Sequence, residues 1–219
     1  MQTLYNFATG PLLWASFAIF LAGSVWRIYS MIALARKKEM SVYAYMSWGF
    51  SFRSIFRWLT PFGTLGWKAN PAMTVGTFAF HLCLLLLLLF APGHAEMWDY
   101  NFGLAIWSLP EWLADTLTVV VIACCAFFAF RRLRVPAVRY VTTTHDWAVL
   151  LLVFLPFISA FLAKMQLGNT LFMTLLHVLS AEAVLIAIPF TRLSHAIFSP
   201  FTRAYMGSEF GGVRHCPDW

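Results

Sequence analysis

Five long apolar stretches constrain the fold of this 219-residue chain more than any other feature of its sequence. A helix needs about 20 apolar residues to cross the hydrocarbon core of a bilayer. Hydrophobic residues make up 61% of the chain and charged residues only 11%, which leaves too few polar side chains to cover a soluble domain. The stretches lie at approximately residues 9–33, 71–91, 108–130, 146–164 and 170–195. We therefore predict an all-α integral membrane bundle, in which residues 1–219 form a single domain with five transmembrane helices.

The distribution of basic residues predicts how this bundle is oriented. If the helices alternate in direction, all of the 15 lysines and arginines except Lys164 fall on one side of the membrane. By the positive-inside rule that side is cytoplasmic, so the N-terminus lies outside and the C-terminus lies in the cytoplasm. We expect the cytoplasmic (inner) membrane of a bacterium or an archaeon. The net charge of +6 then reflects topology and lipid contact, and it does not indicate nucleic-acid binding.

The stretch between the first and second spans, residues 43–66, is aromatic and basic but too short and too polar to cross a membrane. We predict an amphipathic helix that lies in the cytoplasmic interface and ends near Pro61 and Gly63. Its aromatic residues are interspersed with Arg53 and Arg57. Anchoring to lipid and docking of a partner subunit explain this composition equally well.

Four histidines lie in or beside the second and fifth spans, where ionisable side chains are costly and usually functional. They are His81, His94, His177 and His195. Because these two spans are antiparallel, His81 matches His195 on the inner side, and His94 matches His177 on the outer side. Two imidazoles from facing helices are the axial ligands that a b-type haem requires. We predict two b haems, and at least the inner one.

The spacing of these histidines agrees only partly between the two spans. On ideal helices His177 and His195 lie about 27 Å apart on one face, whereas His81 and His94 lie about 20 Å apart. Helix tilt, Pro189 or a helix break after the second span must absorb the difference.

His94 follows Pro92 and Gly93, so an ordinary loop histidine is the alternative interpretation of this residue. Zinc and di-iron sites need ligands clustered at short spacing, which the sequence lacks. The two remaining histidines, His145 and His215, are expected at the surface or facing a partner.

Several charged residues are candidates for supporting roles. Glu111 and Asp115 begin the third span, and Glu182 lies deep in the fifth, so all three are candidates for proton handling. Acids at a helix start also stabilise its dipole, and a buried glutamate can be neutral and hydrogen-bonded. Arg27 and Arg192 are candidate partners for haem propionates, because arginine matches carboxylates, or they are positive-inside anchors.

Several segments resemble one protein family in the same order along the chain. Residues 177–195, which end in Pro-Phe-Thr-Arg-Leu-Ser-His, resemble the last helix of the respiratory nitrate reductase gamma subunit family. In that family a similar motif closes the helix, with a haem-ligating histidine at each end. Residues 139–146 resemble the threonine-rich start of its fourth helix, residues 20–27 the end of its first, and residues 80–81 its inner histidine.

One departure from this family lies at the end of the second span. The family carries the two histidines of this helix ten residues apart, which would place the outer ligand at Ala91, whereas this chain has His94. Together with the aromatic insert at 43–66, this resembles more closely the cytochrome b subunits of membrane redox complexes in sulfate reducers and methanogens. Those complexes are of the sulfite-reduction-associated, high-molecular-weight-cytochrome and heterodisulfide-reductase-like types.

The resemblance implies a dihaem b-type membrane subunit of a respiratory redox complex. Such a subunit passes electrons across the membrane between a quinol pool (menaquinone) or a periplasmic multihaem cytochrome c and a cytoplasmic iron–sulfur subunit. Quinol oxidation or quinone reduction would then occur at the outer haem. Two other classes stay open, namely a small transporter or channel with histidines in a proton or metal path, and a non-redox membrane anchor.

Overall fold

The fold is entirely helical in the part of the chain that the structure, a computed structural model, describes: residues 2–38 and 40–216 contain no strand. Five helices are long and apolar enough to cross a membrane: Gln2–Lys38, Pro71–Phe90, Glu111–Arg134, Thr144–Lys164 and Thr170–Phe190. The prediction of an all-α fold with five membrane-length helices is confirmed, and the chain is a multi-pass membrane protein.

Shorter helices connect and follow these spans. They are Met40–Ala44, Trp48–Leu59, Leu65–Ala69, Pro92–Phe102, Pro136–Val141 and His195–Met206, with 3₁₀ turns at Ile188–Phe190 and Arg192–Ser194 and π-helical segments at Ala8–Leu12 and Gly207–Val213. We call Trp48–Leu59 the interspan helix and Gly207–Val213 the C-terminal π-helix. The interspan helix ends just before Pro61, as predicted.

The first span is longer than predicted at both ends. Pro11 lies inside it and has no backbone N–H to donate, and the helix accommodates this residue in its π-helical segment. The helix then continues to Lys38. Three basic side chains (Arg36, Lys37 and Lys38) lie in its last turn, where they stabilise the helix by interacting with the negative end of its dipole.

The fifth span is shorter than predicted, because the helix does not continue to His195. The α-helix ends at Ala187, two 3₁₀ turns follow, and a separate helix begins at His195. Pro189 cannot donate to a carbonyl four residues earlier, and the Thr191 hydroxyl accepts a hydrogen bond from the Leu193 N–H. The expectation that His177 and His195 share one continuous helical face is therefore wrong.

The chain divides into two compact units, of which the first comprises Met1–Thr9 and Val75–Ala181. Its core lies where the second and third spans pack together, and the fourth span adds partly buried side chains. The buried residues are Phe80, Cys83, Leu87, Leu109, Ala114, Val121, Cys124 and Cys125. Leu109 also donates its N–H to the Phe90 carbonyl (2.8 Å), which ties the connection after the second span to the end of that helix.

The second unit comprises Gly10–Thr74 and Glu182–Trp219. Here the interspan helix packs against His195–Met206 and the C-terminal π-helix. The Ser51 hydroxyl donates to the Ala204 carbonyl (2.9 Å), and the Ser208 hydroxyl accepts from the Ser47 N–H (2.8 Å). The apolar side chains on the other side of the interspan helix are exposed: Trp48, Phe52, Phe56 and Leu59.

Replacing Gly23 with leucine is expected to destabilise the protein by about 1–3 kcal/mol, because a side chain has no space there. A Cβ atom at Gly23 would lie 2.7 Å from Pro189 Cγ and 3.0 Å from Phe190 Cζ. Gly10→Leu is the matched control in the same span, since nothing lies within 4 Å of a Cβ there. Thermal unfolding in detergent measures both variants, and an equal midpoint for the two would contradict the close contact.

Candidate functional site

His94 and His177, the two predicted outer ligands, lie side by side in the first unit. His94 is in the first turn of the Pro92–Phe102 helix, and His177 is in the fifth span. Their ring centroids are 5.9 Å apart, and the ring planes are inclined by only 19°. The structure therefore brings together two imidazoles that are 83 positions apart in the sequence (177 minus 94).

Each of these rings is held by a hydrogen bond from Nδ1 to a backbone carbonyl. His94 Nδ1 bonds to the Leu87 carbonyl at 2.9 Å, and His177 Nδ1 bonds to the Pro156 carbonyl at 2.7 Å. A carbonyl only accepts, so Nδ1 carries the hydrogen, and in the neutral ring the lone pair is on Nε2. This arrangement fixes the tautomer and ring orientation of histidines that bind metals.

A helix break brings His94 to this position. The second span ends at Phe90, Ala91 is extended (φ −60°, ψ 142°), and Pro92 starts the next helix at a position where its missing N–H costs nothing. In a continuous helix, seven residues would separate Leu87 from His94 by about 10 Å along the axis. Instead, the chain turns back and His94 reaches the Leu87 carbonyl. His94 is thus a half-buried helical residue rather than a loop histidine.

A proline inside the fourth span holds His177. Pro156 is buried, and its carbonyl accepts from both His177 Nδ1 and the Ser159 hydroxyl (3.2 Å). Ser159 is itself fully buried and also donates to the Leu155 carbonyl at 2.6 Å. Sequence reasoning missed both residues, although a proline within an apolar span is a visible sign of a locally altered hydrogen-bond pattern.

The two predicted inner ligands are held in the same way, each within its own unit. His81 Nδ1 bonds to the Thr77 carbonyl (2.8 Å), and His195 Nδ1 bonds to the Arg192 carbonyl (2.9 Å). All four predicted ligands thus have Nδ1 on a carbonyl of the backbone. The pairing of His81 with His195 stays a prediction. His145 and His215 are exposed, as expected.

The candidate propionate partners lie near the start of the helix that begins with His195. The Arg27 guanidinium lies over the ring of Phe198, 5.2 Å from its centroid, and Phe198 is in the first turn of that helix. Arg192 is exposed in the preceding 3₁₀ turn. Their predicted contacts with propionates stay a prediction.

The three candidate acids have different surroundings. Glu111 forms an exposed ion pair with Lys164, which links the start of the third span to the end of the fourth, and Asp115 lies half-buried one turn further. Glu182 is only 4% exposed, and neither of its carboxyl oxygens has a hydrogen-bond partner among the described residues. A proton-handling role for any of them stays a prediction.

Replacing Glu182 with methionine is expected to stabilise the protein by about 1 kcal/mol or more, because an unpaired buried polar group is removed. Glu182→Gln keeps an unpaired polar group of the same shape and is expected to give no gain. Thermal unfolding of the purified variants measures the difference. A lower midpoint for Glu182→Met would show that the carboxyl group has a stabilising partner.

Side chains alone do not assemble a larger metal site in the described part of the chain. No group of three or more histidine, cysteine, aspartate or glutamate residues is close enough to hold a metal ion there. Structural zinc takes four protein ligands and catalytic zinc takes three. Two neighbouring imidazoles are fewer protein ligands than either kind of zinc site requires.

Comparisons with known proteins identify a relative of this chain. No protein-family model matches it, and no solved structure matches it. A protein of Nitratidesulfovibrio vulgaris strain Hildenborough is 35% identical over 222 aligned residues, which cover 98% of this chain and 98% of that protein. The chain belongs to the same family as this protein of Nitratidesulfovibrio vulgaris.

Proposed function

We propose that the chain is a dihaem b-type membrane subunit of a respiratory redox complex. The pairing of His94 with His177 carries this proposal. The centroids of the two rings are 5.9 Å apart and their planes are nearly parallel. Since a metal–imidazole bond is about 2.0 Å long, the two rings are close enough to bind one metal ion.

The chemistry of the donor set also fits a haem iron. Both rings direct Nδ1 to a carbonyl, which leaves Nε2 as the ligating nitrogen. A bound b haem supplies one-electron transfer, which no protein side chain in this region supplies by itself. His94 and His177 would hold it, and the Leu87 and Pro156 carbonyls would keep both imidazoles neutral and oriented.

The inner haem, on His81 and His195, is the second part of the proposal. The hydrogen bonds of these two rings to the Thr77 and Arg192 carbonyls support it, because they leave Nε2 as the ligating nitrogen. Arg27 lies beside the first turn of the His195 helix, where it can pair with a propionate.

The proposed orientation, with the N-terminus outside and the C-terminus in the cytoplasm of a bacterium or archaeon, puts the two electron-transfer partners on opposite sides of the membrane. Electrons pass between menaquinol or a periplasmic multihaem cytochrome c on the outer side and an iron–sulfur subunit on the cytoplasmic side. Asp115 and Glu182 are the better candidates for proton handling, because Glu111 already pairs with Lys164. The exposed apolar face of the interspan helix supports a position in the membrane interface.

Reduction by a quinol tests this function. Purified protein in liposomes is treated with a soluble menaquinol analogue, and a reduced-minus-oxidised spectrum is recorded. We expect an α band of b haem to appear, and to disappear when a membrane-permeant oxidant is added. A transporter, a channel or a simple anchor would show no such band. A red protein that is reduced by a cytochrome c but not by the quinol analogue would show that the electron donor is the cytochrome.

A further inference from the structure

An open cleft of about 350 Å³ lies at the end of the third span in the first unit. It is lined by Leu133, Arg134, Pro136, Arg139 and Tyr140. Arg134 ends the span, and the Pro136–Val141 helix brings Arg139 and Tyr140 to the other side. The lining thus combines two guanidinium groups and a phenol with the apolar side chains of Leu133 and Pro136.

The two arginines of the cleft have no anionic partner within residues 2–38 and 40–216. Arg134 lies over the ring of Phe130, 5.6 Å from its centroid, and the Arg139 side chain forms neither an ion pair nor a hydrogen bond in this part of the chain, although its backbone bonds to Val135 and Thr142. No acid occurs in the sequence between Asp115 and Asp146. Asp146 is buried at 3% exposure and accepts from the N–H and hydroxyl of Thr143.

The cleft lies where lipid headgroups are expected. The third span has 24 residues and is about 36 Å long, somewhat longer than the hydrocarbon core of about 30 Å, so its last turn reaches the headgroup region. Leu133, which lines the cleft, and Phe130, which precedes it on this helix, are 59% and 58% exposed. The exposed apolar side chains of Phe130 and Leu133 therefore lie next to two arginines that have no anionic partner in the described part of the chain.

We propose that this cleft binds the phosphate of an anionic phospholipid. Arg134 and Arg139 contact the phosphate oxygens, because guanidinium groups bind phosphate through paired N–H donors. The Tyr140 hydroxyl, on a side chain that is 90% or more exposed, donates to the headgroup, and the acyl chains lie along Phe130 and Leu133. Basic pockets at the ends of membrane helices recognise anionic headgroups in this way.

Native mass spectrometry of the purified full chain tests the proposal, with phosphatidylglycerol and phosphatidylcholine titrated in separate samples. We expect one tightly retained phosphatidylglycerol and no comparable phosphatidylcholine. The double variant Arg134→Gln/Arg139→Gln should bind phosphatidylglycerol about 10- to 30-fold more weakly. The matched control, Arg36→Gln/Lys37→Gln, removes the same charge from the exposed end of the first span and should bind as the wild type does.

Three results would overturn the proposal. The first is that the double variant binds phosphatidylglycerol as tightly as the wild type does. The second is that the control loses as much binding as the double variant, which would show only a general attraction of the lipid to positive charge. The third is competition by inorganic phosphate at the concentration at which phosphatidylglycerol binds, which would identify a free anion as the ligand. The variant Arg134→Lys/Arg139→Lys keeps the charge but loses the paired N–H donors, so it should bind phosphatidylglycerol with intermediate affinity. The haem spectrum should be unchanged in every variant, which would show that this site is separate from the haem ligands.

Discussion

The His177→Ala variant is expected to contain one low-spin b haem per chain, whereas we expect two in the wild type. His177 supplies one of the two imidazoles of the outer pair, and no other imidazole in the described part of the chain bonds to the Pro156 carbonyl and could replace it. An outer haem with His94 alone would lose an axial ligand and be released or become high-spin. Haem content per chain and the low-spin electron paramagnetic resonance signal measure this loss.

Two control variants distinguish ligand loss from misfolding. His145→Ala removes an exposed histidine and should keep both haems. His94→Ala should give the same phenotype as His177→Ala, since both remove one side of the same pair, and added imidazole should restore part of the low-spin signal in either variant. If His177→Ala kept two low-spin haems, the pairing of His94 with His177 would not be a haem site.

The second large effect is expected at Gly207, where alanine should destabilise the protein by about 3 kcal/mol. A Cβ atom there would press against the carbonyl oxygen of Phe50 and lie 2.6 Å from Ser54 Cβ. Backbone cannot move aside without shifting the whole interspan helix. The neighbouring hydrogen bond from the Ser51 hydroxyl to the Ala204 carbonyl would be strained by the same shift.

Gly49→Ala is the matched control in the interspan helix. Nothing lies within 4 Å of a Cβ at Gly49, so alanine should stabilise the helix by about 1 kcal/mol through its higher helix propensity. Thermal unfolding of the two variants should therefore move in opposite directions. A Gly207→Ala protein as stable as the wild type would disprove the close packing of the C-terminal π-helix on the interspan helix.

The number and type of the spans follow from the sequence, because hydropathy over about 20 residues reports directly on what a bilayer can hold. The end of the fifth span does not follow. The hydropathy of residues 188–194 is compatible with the last turns of a membrane helix. Whether these residues form an α-helix or 3₁₀ turns depends on Pro189 and on local hydrogen bonds such as that of Thr191. Hydropathy carries no information about that choice.

The candidate site was only partly predictable for a related reason. The residue types of His94 and His177 indicate a ligand pair, but their juxtaposition depends on the break at Ala91, which turns His94 back toward Leu87. The groups that hold the rings are backbone carbonyls, and every residue has one, so no residue type reveals them. The tight contact at Gly207 likewise depends on a neighbour 157 positions away in sequence (207 minus 50).

Quantification of haem in the purified wild-type protein tests the proposed function most directly. The protein is extracted in mild detergent, its haem is converted to a pyridine complex, and the haem is divided by the chain concentration from amino-acid analysis. We predict a red protein with two b haems per chain, one on His94 and His177 and one on His81 and His195. A colourless protein without haem, prepared from cells that supply haem in excess, would contradict the proposal.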